Sequence, residues 1–267
     1  MKNGKISRRR SPAPAAKTSW EPVAEWYGRH IDSGASAFQR EIIFPGALRL
    51  LDPKPNGTYL DVACGQGAFM RLAAQKSGAH MVGFDASPSL IEQAKKTASK
   101  KEEYGIADAT DFADLFDREA FDGATCLMAI QNIDEISQVF QQVASVLKPG
   151  SPFVIVMNHP CFRQPSQSGW GWDEQRKLQY RRVDRYASSY HAPIIAHPGK
   201  APSVVTHSYH RPLEAYVTEL AQNGFVIDAL EEWVSDKSSD SGPRAKAENV
   251  ARKEIPMFLA IRARKMT

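Results

Sequence analysis

Asp61-Val62-Ala63-Cys64-Gly65-Gln66-Gly67 follows an apolar run at residues 58–60, and this stretch decides the fold. A second apolar run, residues 81–84, ends in Asp85, eighteen residues after Gly67. Glycines let a backbone approach a ligand closely, and the N–H groups that open a helix attract its polar or anionic end. Asp85 would lie at the tip of the neighbouring strand, where a carboxylate can accept both hydroxyls of a ribose. This strand, turn, helix and strand unit predicts a nucleoside site.

Two classes of nucleoside cofactor bind at this topological position, and the glycine spacing separates them. The pyrophosphate-binding sequence G-x-G-x-x-G needs a third glycine at position 70, where this chain has Met70. The chain instead has an acid four residues before the first of two glycines, Asp61-x-x-x-Gly65-x-Gly67. This pattern resembles the first motif of the class I S-adenosylmethionine-dependent methyltransferases, and the resemblance covers about residues 20–265.

The resemblance implies a site for S-adenosylmethionine, with S-adenosylhomocysteine as the product. The first motif would hold the methionine part, the acid after strand two the ribose, and the acid after strand three the adenine. The tip of strand four would line the methylthio region, and an aromatic residue before the first strand would close over the cofactor. In that order the matching residues are Asp61, Ala63, Gly65 and Gly67, then Asp85 and Ala86, then Asp108 and Ala109, then Met128 and Ala129, and finally Tyr27.

Three of these residues also have a purely structural interpretation. Asp108 can cap the helix that follows it, since aspartate is favoured at that position. Asp61 can accept N–H groups that only brace the turn. Tyr27 can belong to the core, because an aromatic residue at helical spacing is usually buried.

The order of apolar runs and helical segments predicts the fold class. Strands alternate with helices from residue 58 to residue 158, which indicates a doubly wound α/β fold with a parallel sheet. The resemblance implies seven strands, mostly parallel, with the last one inserted antiparallel. Residues 159–203 are too long for a simple loop and predict a helical cap inserted after strand five. With N-terminal helices at 20–52, residues 20–267 are expected to form one methyltransferase domain.

The charge of the chain is uneven. Six of the 34 Lys and Arg residues lie in residues 1–19, which contain no acid, so residues 20–267 hold 28 basic and 30 acidic residues. The formal charge of +4 therefore comes from a basic tail whose Ser, Pro and Ala content predicts disorder. The alternative to a solvated extension is an arm that binds nucleic acid or a membrane.

Other compositional features exclude several classes. No apolar stretch approaches the ~20 residues of a membrane span, and the first residues lack the apolar core of a secretory signal. We therefore expect a cytoplasmic protein without a membrane partner. Three widely separated cysteines, Cys64, Cys126 and Cys161, indicate reduced thiols rather than a disulfide framework or a metal site.

A base helps methyl transfer to a hydroxyl or phenol, and histidine suits this role near neutral pH. His159, at the end of the predicted fifth strand, is the candidate general base and an acceptor contact. Its alternative is a ring that only bonds to backbone at a strand end. The rivals in or beside the cap are His191, His207 and His210.

The cap also contains basic and aromatic residues that could contact the acceptor. Arginine binds carboxylate or phosphate groups, and tyrosine stacks on flat rings. Arg182, Tyr186 and Tyr190 are the residues predicted for this role. Neighbouring acids could instead pair with the arginines and leave an ordinary solvated surface.

Three functional hypotheses follow. The first is a methyltransferase that acts on oxygen, nitrogen or carbon of a small molecule, as in secondary metabolism. The second is an RNA or protein methyltransferase that docks its substrate on the basic tail and the Arg-rich cap. The third is an S-adenosylmethionine-binding protein that does not catalyse methylation.

Overall fold

The computed structural model describes residues 20–23, 37–197 and 201–267, and a seven-stranded sheet runs through them. Within these residues the strands are β1 Thr58–Val62, β2 His80–Asp85, β3 Glu102–Ile106, β4 Gly123–Leu127, β5 Pro152–Asn158, β6 Ser168–Asp173, β7 Leu178–Val183, β8 Tyr190–His197, β9 Ala201–His210, β10 Phe225–Trp233 and β11 Phe258–Lys265. The helices are α1 Phe44–Leu51, α2 Ala68–Ser77, α3 Pro88–Lys96, α4 Ile136–Val146, α5 Leu213–Gln222 and α6 Ala245–Glu254.

The order of strands in the sheet is β10-β11-β5-β4-β1-β2-β3. The strands β1 to β5 pair in parallel, and β11 is antiparallel to both β5 and β10. The prediction of a doubly wound, mostly parallel seven-stranded sheet is therefore confirmed. The chain moves outward from β1 to β3 and then returns to β4 on the other side of β1. A crevice opens at such a reversal, beyond the carboxyl ends of the two central strands.

Helices cover both faces of the sheet, as the continuous apolar strands require. The helix α4 buries Val139, Phe140 and Val143 on one face, together with α5. Side chains spaced by one and then by three positions lie on the same side of a helix, so these three residues form an apolar stripe. Phe140 is fully buried against Phe153 of β5, and truncating such a side chain costs about 3–5 kcal/mol. The helices α1, α2 and α3 pack on the opposite face.

Met70 occupies the position where a dinucleotide-binding turn has its third glycine. Its side chain is fully buried under the sheet, and a Cβ on Gly83 of β2 would lie 2.3 Å from the Met70 sulfur. The glycine that allows helix and strand to approach is therefore on β2 in this protein, and not on α2.

The N-terminal region and the start of α3 are linked through an acidic side chain. Ser87 caps α3 by accepting the N–H of Leu90 at 3.3 Å, as its position before Pro88 predicts. Ser87 and Ser89 both donate their hydroxyls to the Glu21 carboxylate. The cap and the first turn of α3 are thus tied to the short turn at residues 21–23.

The predicted N-terminal helices are partly described. A π-helical turn at Gln39–Ile43 continues directly into α1, so Pro45 begins a regular helix and does not separate two helices. Proline has no N–H to donate, and the helix has its π-helical turn at the residues just before it. Tyr27 and the tail at residues 1–19 lie outside the described residues.

The prediction that the insertion after β5 is helical is wrong. It consists of two antiparallel hairpins, β6 with β7 and β8 with β9. Trp170 and Trp172 alternate with glycines along β6, a two-residue period that suits a strand. The turn of the first hairpin is fixed by Asp173, whose Oδ1 accepts the N–H groups of Gln175 and Arg176.

Two kinds of feature are absent from the described residues. No helix in these ranges has the length and apolar character needed to cross a bilayer. No group of three or more metal-binding side chains occurs in them. Cys64, Cys126 and Cys161 are free thiols, and burial raises the pKa of Cys126, which makes it unreactive.

Candidate cofactor site

A cavity of about 460 Å³ opens at the carboxyl ends of β1, β2, β3 and β4, where the strand order reverses. This volume lies in the range typical of ligand sites, roughly 300–1,000 Å³. The cavity brings together predicted cofactor residues from four separate segments. Those that line it are Asp61, Ala63, Gly65, Asp85, Ala86, Asp108, Ala109, Met128 and Ala129.

Asp85 holds the turn after β1 as well as facing the cavity. Its Oδ2 accepts the N–H of Gly65 at 2.9 Å, and its Oδ1 accepts the N–H of Ser87 at 2.9 Å. Burial raises the pKa of Asp85, although these two hydrogen bonds oppose the shift. Each carboxylate oxygen retains a further acceptor position, which fits a ligand that offers two hydroxyl donors.

Asp61 is a buried acid at the end of β1. It is 2% exposed, and Thr125 of β4 donates its hydroxyl to Oδ1 at 2.6 Å. Burial raises the pKa of Asp61 to about 7, the Thr125 hydrogen bond lowers it, and the charge of nearby Asp85 raises it. A cationic group of a ligand would therefore find here a carboxylate that ionises readily once it is paired.

Asp108 lies beyond β3 and forms a local turn. Its Oδ1 accepts the N–H of Thr110 at 2.9 Å and the Thr110 hydroxyl at 2.7 Å. No helix of the described residues begins at this point, so the helix-cap interpretation of Asp108 does not apply. Within the described residues Asp108 Oδ2 makes no hydrogen bond, which leaves it open to the cavity.

Two non-glycine residues with a left-handed backbone flank the crevice. Ala63 after β1 has a φ angle of 55°, and Met128 after β4 has a φ angle of 57°. Such angles cost an L-residue roughly 1–2 kcal/mol relative to glycine. Alanine at position 63 therefore carries a conformational cost that glycine would not have. Strained backbone at the cavity is the kind of feature that concentrates at functional sites.

Gly67 is required for packing and does not line the cavity. Its φ angle is 75°, and a Cβ there would lie 2.2 Å from the Tyr104 hydroxyl. Tyr104 is itself fixed, since it donates to Glu102 Oε2 at 2.7 Å. Gly67, the second glycine of the motif, thus leaves room for the side chain of Tyr104 on β3. Gly65, the first glycine, lines the cavity.

The cavity extends past the predicted cofactor residues to the second hairpin. Its outer wall contains apolar and aromatic groups, acids and a histidine from several elements. Apart from His207, these residues were not predicted from the sequence, and the set consists of Trp20, Gln39, Phe44, Phe69, Leu90, Thr110, Asn132, Ile133, Asp134, Glu135, His207 and Tyr209. His207 had been only a rival of His159 for the role of base. Among the histidines of the described residues, His207 is the one that lines the cavity.

The structure does not support His159 as a general base. The side chain is 2% exposed and is absent from the cavity wall. Its Nε2 bonds Glu232 at 2.7 Å, and its Nδ1 accepts the N–H of Cys161 at 3.2 Å. Burial lowers the pKa of His159 despite Glu232, so a neutral ring uses both nitrogens within the protein. The alternative of a ring bonded to backbone at the strand end is therefore right for Nδ1, whereas Nε2 bonds a carboxylate side chain.

The predicted acceptor contacts also lie away from the cavity wall. Arg182 pairs with Asp184 at 3.0 Å. Tyr186 accepts the N–H of Leu213 at 2.9 Å, and Tyr190 donates its hydroxyl to a backbone carbonyl at 3.1 Å. Of the three, Tyr186 joins the insertion to the start of α5, whereas the partners of Arg182 and Tyr190 lie within the insertion itself.

Comparisons with known proteins agree with this geometry. Residues 60–155 match the family described as Methyltransferase domain. The ubiquinone/menaquinone biosynthesis C-methyltransferase of Bartonella quintana is 36% identical over 107 residues, which are 37% of this chain and 40% of that protein. The 2-phytyl-1,4-naphtoquinone methyltransferase of Synechococcus elongatus is 33% identical over 130 residues, 45% of this chain and 56% of that protein. The chain thus spans about half the length of these curated relatives.

A solved structure extends the similarity to most of the chain. The S-adenosylmethionine-dependent methyltransferase of Mesorhizobium loti has a TM-score of 0.65 and 25% identity, and the match covers 83% of this chain and 96% of that one. The chain thus contains a methyltransferase domain at residues 60–155, and most of its length is similar in fold to an S-adenosylmethionine-dependent methyltransferase.

Proposed function

We propose that this protein transfers a methyl group from S-adenosylmethionine to a small-molecule acceptor. The observation that carries the proposal is the cavity itself, which collects acids from the ends of β1, β2 and β3 and then continues to a wall on β9. One part suits a nucleoside with a charged side chain. The other part is lined by apolar and aromatic groups that suit an organic acceptor.

Each acid has a role that follows from its surroundings. Asp85 would bind the ribose hydroxyls, because it lines the cavity and backbone N–H groups hold both of its oxygens in place. Asp61 and the turn at Ala63 and Gly65 would hold the charged methionine end. Asp108 would accept the adenine amino group through Oδ2, and Met128 with Ala129 would lie beside the sulfur.

The cofactor supplies an activated methyl group on a positively charged sulfur. The protein's own contribution is to align the acceptor and to exclude water, which can account for much of the rate in a displacement of this kind. Phe44, Phe69 and Ile133 on the wall would exclude water without offering a competing nucleophile.

A small-molecule acceptor is favoured over RNA or protein by the state of the basic residues. Arg176, Lys177 and Arg182 of the first hairpin pair with acidic residues in the same hairpin or just after it. Surface charges that are already paired offer little attraction to a polyanion. The two curated relatives described above carry names that refer to ubiquinone, menaquinone or naphtoquinone chemistry, which also supports a small organic acceptor.

The first experiment is calorimetric binding of S-adenosylhomocysteine, followed by transfer of labelled methyl from S-adenosylmethionine into a cell extract separated into small-molecule, RNA and protein fractions. We expect binding and a labelled small molecule. Label in RNA or protein would contradict the proposed acceptor class. Binding without label in any fraction would support the non-catalytic alternative.

A further inference from the structure

Two histidines face each other on the second hairpin, at the edge of the cavity. Nε2 of His191 on β8 lies 2.6 Å from Nδ1 of His207 on β9, and the ring centroids are 4.5 Å apart. His207 lines the cavity, whereas His191 is exposed. The pair therefore connects the inside of the cavity with solvent.

At this distance one ring must donate and the other must accept, so a single hydrogen lies between the two nitrogens. If His207 donates from Nδ1, its Nε2 carries a free electron pair. If His191 donates instead, the His207 Nε2 holds the hydrogen and cannot accept a proton. The tautomer of His207 thus decides whether it can act as a base.

The surroundings fix the pair in place. The ring of Tyr209 stacks on the ring of His191, with 5.4 Å between the centroids. The Arg211 guanidinium carbon lies 5.5 Å from the centroid of the same Tyr209 ring. Arg211 in turn pairs with Asp134, which lies after β4, at 3.2 Å. The hairpin is therefore held against the segment that follows Met128, the residue proposed to lie beside the sulfur.

We propose that His207 is the catalytic base of the methyl transfer and that His191 positions it, for an acceptor that carries an aromatic hydroxyl group. This inference rests on the proposed function and names the acceptor class of the same site. Tyr209, Phe44, Phe69 and Ile133 share the cavity wall with His207 and provide flat and apolar contacts for such a ring.

The proton balance is simple. The O–H bond of the acceptor breaks, and its proton forms a bond with Nε2 of His207. The electron pair of the oxygen would form the new O–C bond to the methyl group, while the S–C bond of the cofactor would break and leave its electron pair on a neutral sulfur. The Nδ1 hydrogen of His207 can then move to Nε2 of His191, which releases a proton to solvent. No oxidant or reductant is needed, and a base of this kind contributes roughly 10²–10⁴-fold to a rate.

The test uses four variants of the full chain. His207→Gln removes the base, and His191→Leu removes the partner of His207. His191→Gln places an amide oxygen near the former Nε2 and should restore the orientation. His80→Gln, at the start of β2, is the control for loss of a histidine elsewhere.

Two measurements do not depend on turnover. Nitrogen NMR of histidine-labelled protein, with S-adenosylhomocysteine bound, reports the tautomer of His207. Absorbance of added 4-nitrophenol reports whether the bound phenol is ionised. We expect hydrogen on Nδ1 of His207 and a bound phenolate, with ionisation about tenfold weaker in His207→Gln and His191→Leu, which is one pKa unit. His191→Gln and His80→Gln should resemble the wild type.

Hydrogen on Nε2 of His207, equal ionisation in the wild type and His207→Gln, or no binding of 4-nitrophenol would each overturn the inference. Binding of S-adenosylhomocysteine separates this failure from failure of the proposed function. Variants that bind the product as the wild type does, but ionise the phenol equally well, contradict only the role of the histidine pair. A wild type that binds no S-adenosylhomocysteine contradicts the proposed function itself.

Discussion

Asp85 at the end of β2 accepts the backbone N–H of Gly65 at 2.9 Å, so the proposed ribose acid also holds the glycine turn after β1. The same carboxylate accepts the N–H of Ser87 ahead of α3. One side chain thus joins two strands and a helix start at the cavity. Its two tasks can be separated by comparison with Asp108, which faces the cavity without bracing a second segment.

We expect Asp85→Asn to lower both cofactor affinity and stability. The amide keeps one acceptor oxygen and turns its NH₂ group toward an N–H donor, so one backbone donor loses its partner at a cost of about 1–3 kcal/mol. Asp108→Asn is the matched control, because its Oδ1 can still accept from Thr110. It should weaken binding of S-adenosylhomocysteine in calorimetry and leave the urea midpoint unchanged. Equal stability of the two variants would contradict the bracing role.

Gly67→Ala should destabilise the protein more than Gly78→Ala does. Both glycines have left-handed backbones, with φ angles of 75° and 73°. A Cβ at position 78 meets no atom within 4 Å, whereas one at position 67 meets the Tyr104 hydroxyl. The difference in urea unfolding free energy therefore isolates the collision, and we expect about 1–3 kcal/mol. Equal costs would mean that Tyr104 moves aside freely.

The local motif could be predicted from the sequence because it depends on neighbours along the chain. The positions of Asp61, Gly65 and Asp85 follow from strand, turn and helix lengths, and the parallel order then brings them to one edge of the sheet. Ser87 as a helix cap follows from its own side chain and Pro88. These elements needed no knowledge of distant contacts.

The acceptor side could not be predicted in this way. His207, Tyr209 and their neighbours alternate along β9, so the sequence contains a two-residue period. Which face meets the cavity depends on a distant contact, in which Ser208 donates to the carbonyl of Gln131 at 3.4 Å. His159 follows the end of β5, a position where a catalytic base could lie. Its backbone N–H donates to the carbonyl of Met257, however, and its ring hydrogen-bonds Glu232.

Replacing Ala63 by glycine should stabilise the protein. The φ angle of 55° at Ala63 penalises any side chain with a Cβ, and this gain exceeds the entropy that glycine adds to the unfolded chain. We expect a gain of about 0.5–1 kcal/mol in urea unfolding. Ala247→Gly inside α6 is the control with the opposite sign, since glycine in a helix costs about 0.5–1 kcal/mol. A loss of stability in both variants would contradict the argument.

His159→Gln should affect stability and not the chemistry. The substitution disturbs a buried ring that bonds both Glu232 and the N–H of Cys161, and an unpaired buried group costs about 1–3 kcal/mol. Thermal unfolding should occur at a lower temperature, while affinity for S-adenosylhomocysteine and turnover per folded molecule stay the same. A loss of turnover at wild-type stability would restore His159 as a base and count against His207.

Asp61→Asn should make stability less dependent on pH. Burial raises the pKa of Asp61 to about 7 from an ordinary value of 3.8, so the folded chain binds a proton that the unfolded chain releases between these values. The contribution of Asp61 is therefore fully present below about pH 4 and is lost as the pH rises toward 7.

Asparagine never ionises and can still accept from Thr125. Subtracting the variant's unfolding free energy from that of the wild type removes the other titrating groups, including Asp85. We expect the unfolding free energy of the wild type, relative to that of the variant, to fall by up to about 4 kcal/mol between pH 4 and pH 7 and then to level off. A difference that stays constant over this range would mean that Asp61 keeps its ordinary pKa of 3.8 and is already ionised in the folded protein at neutral pH.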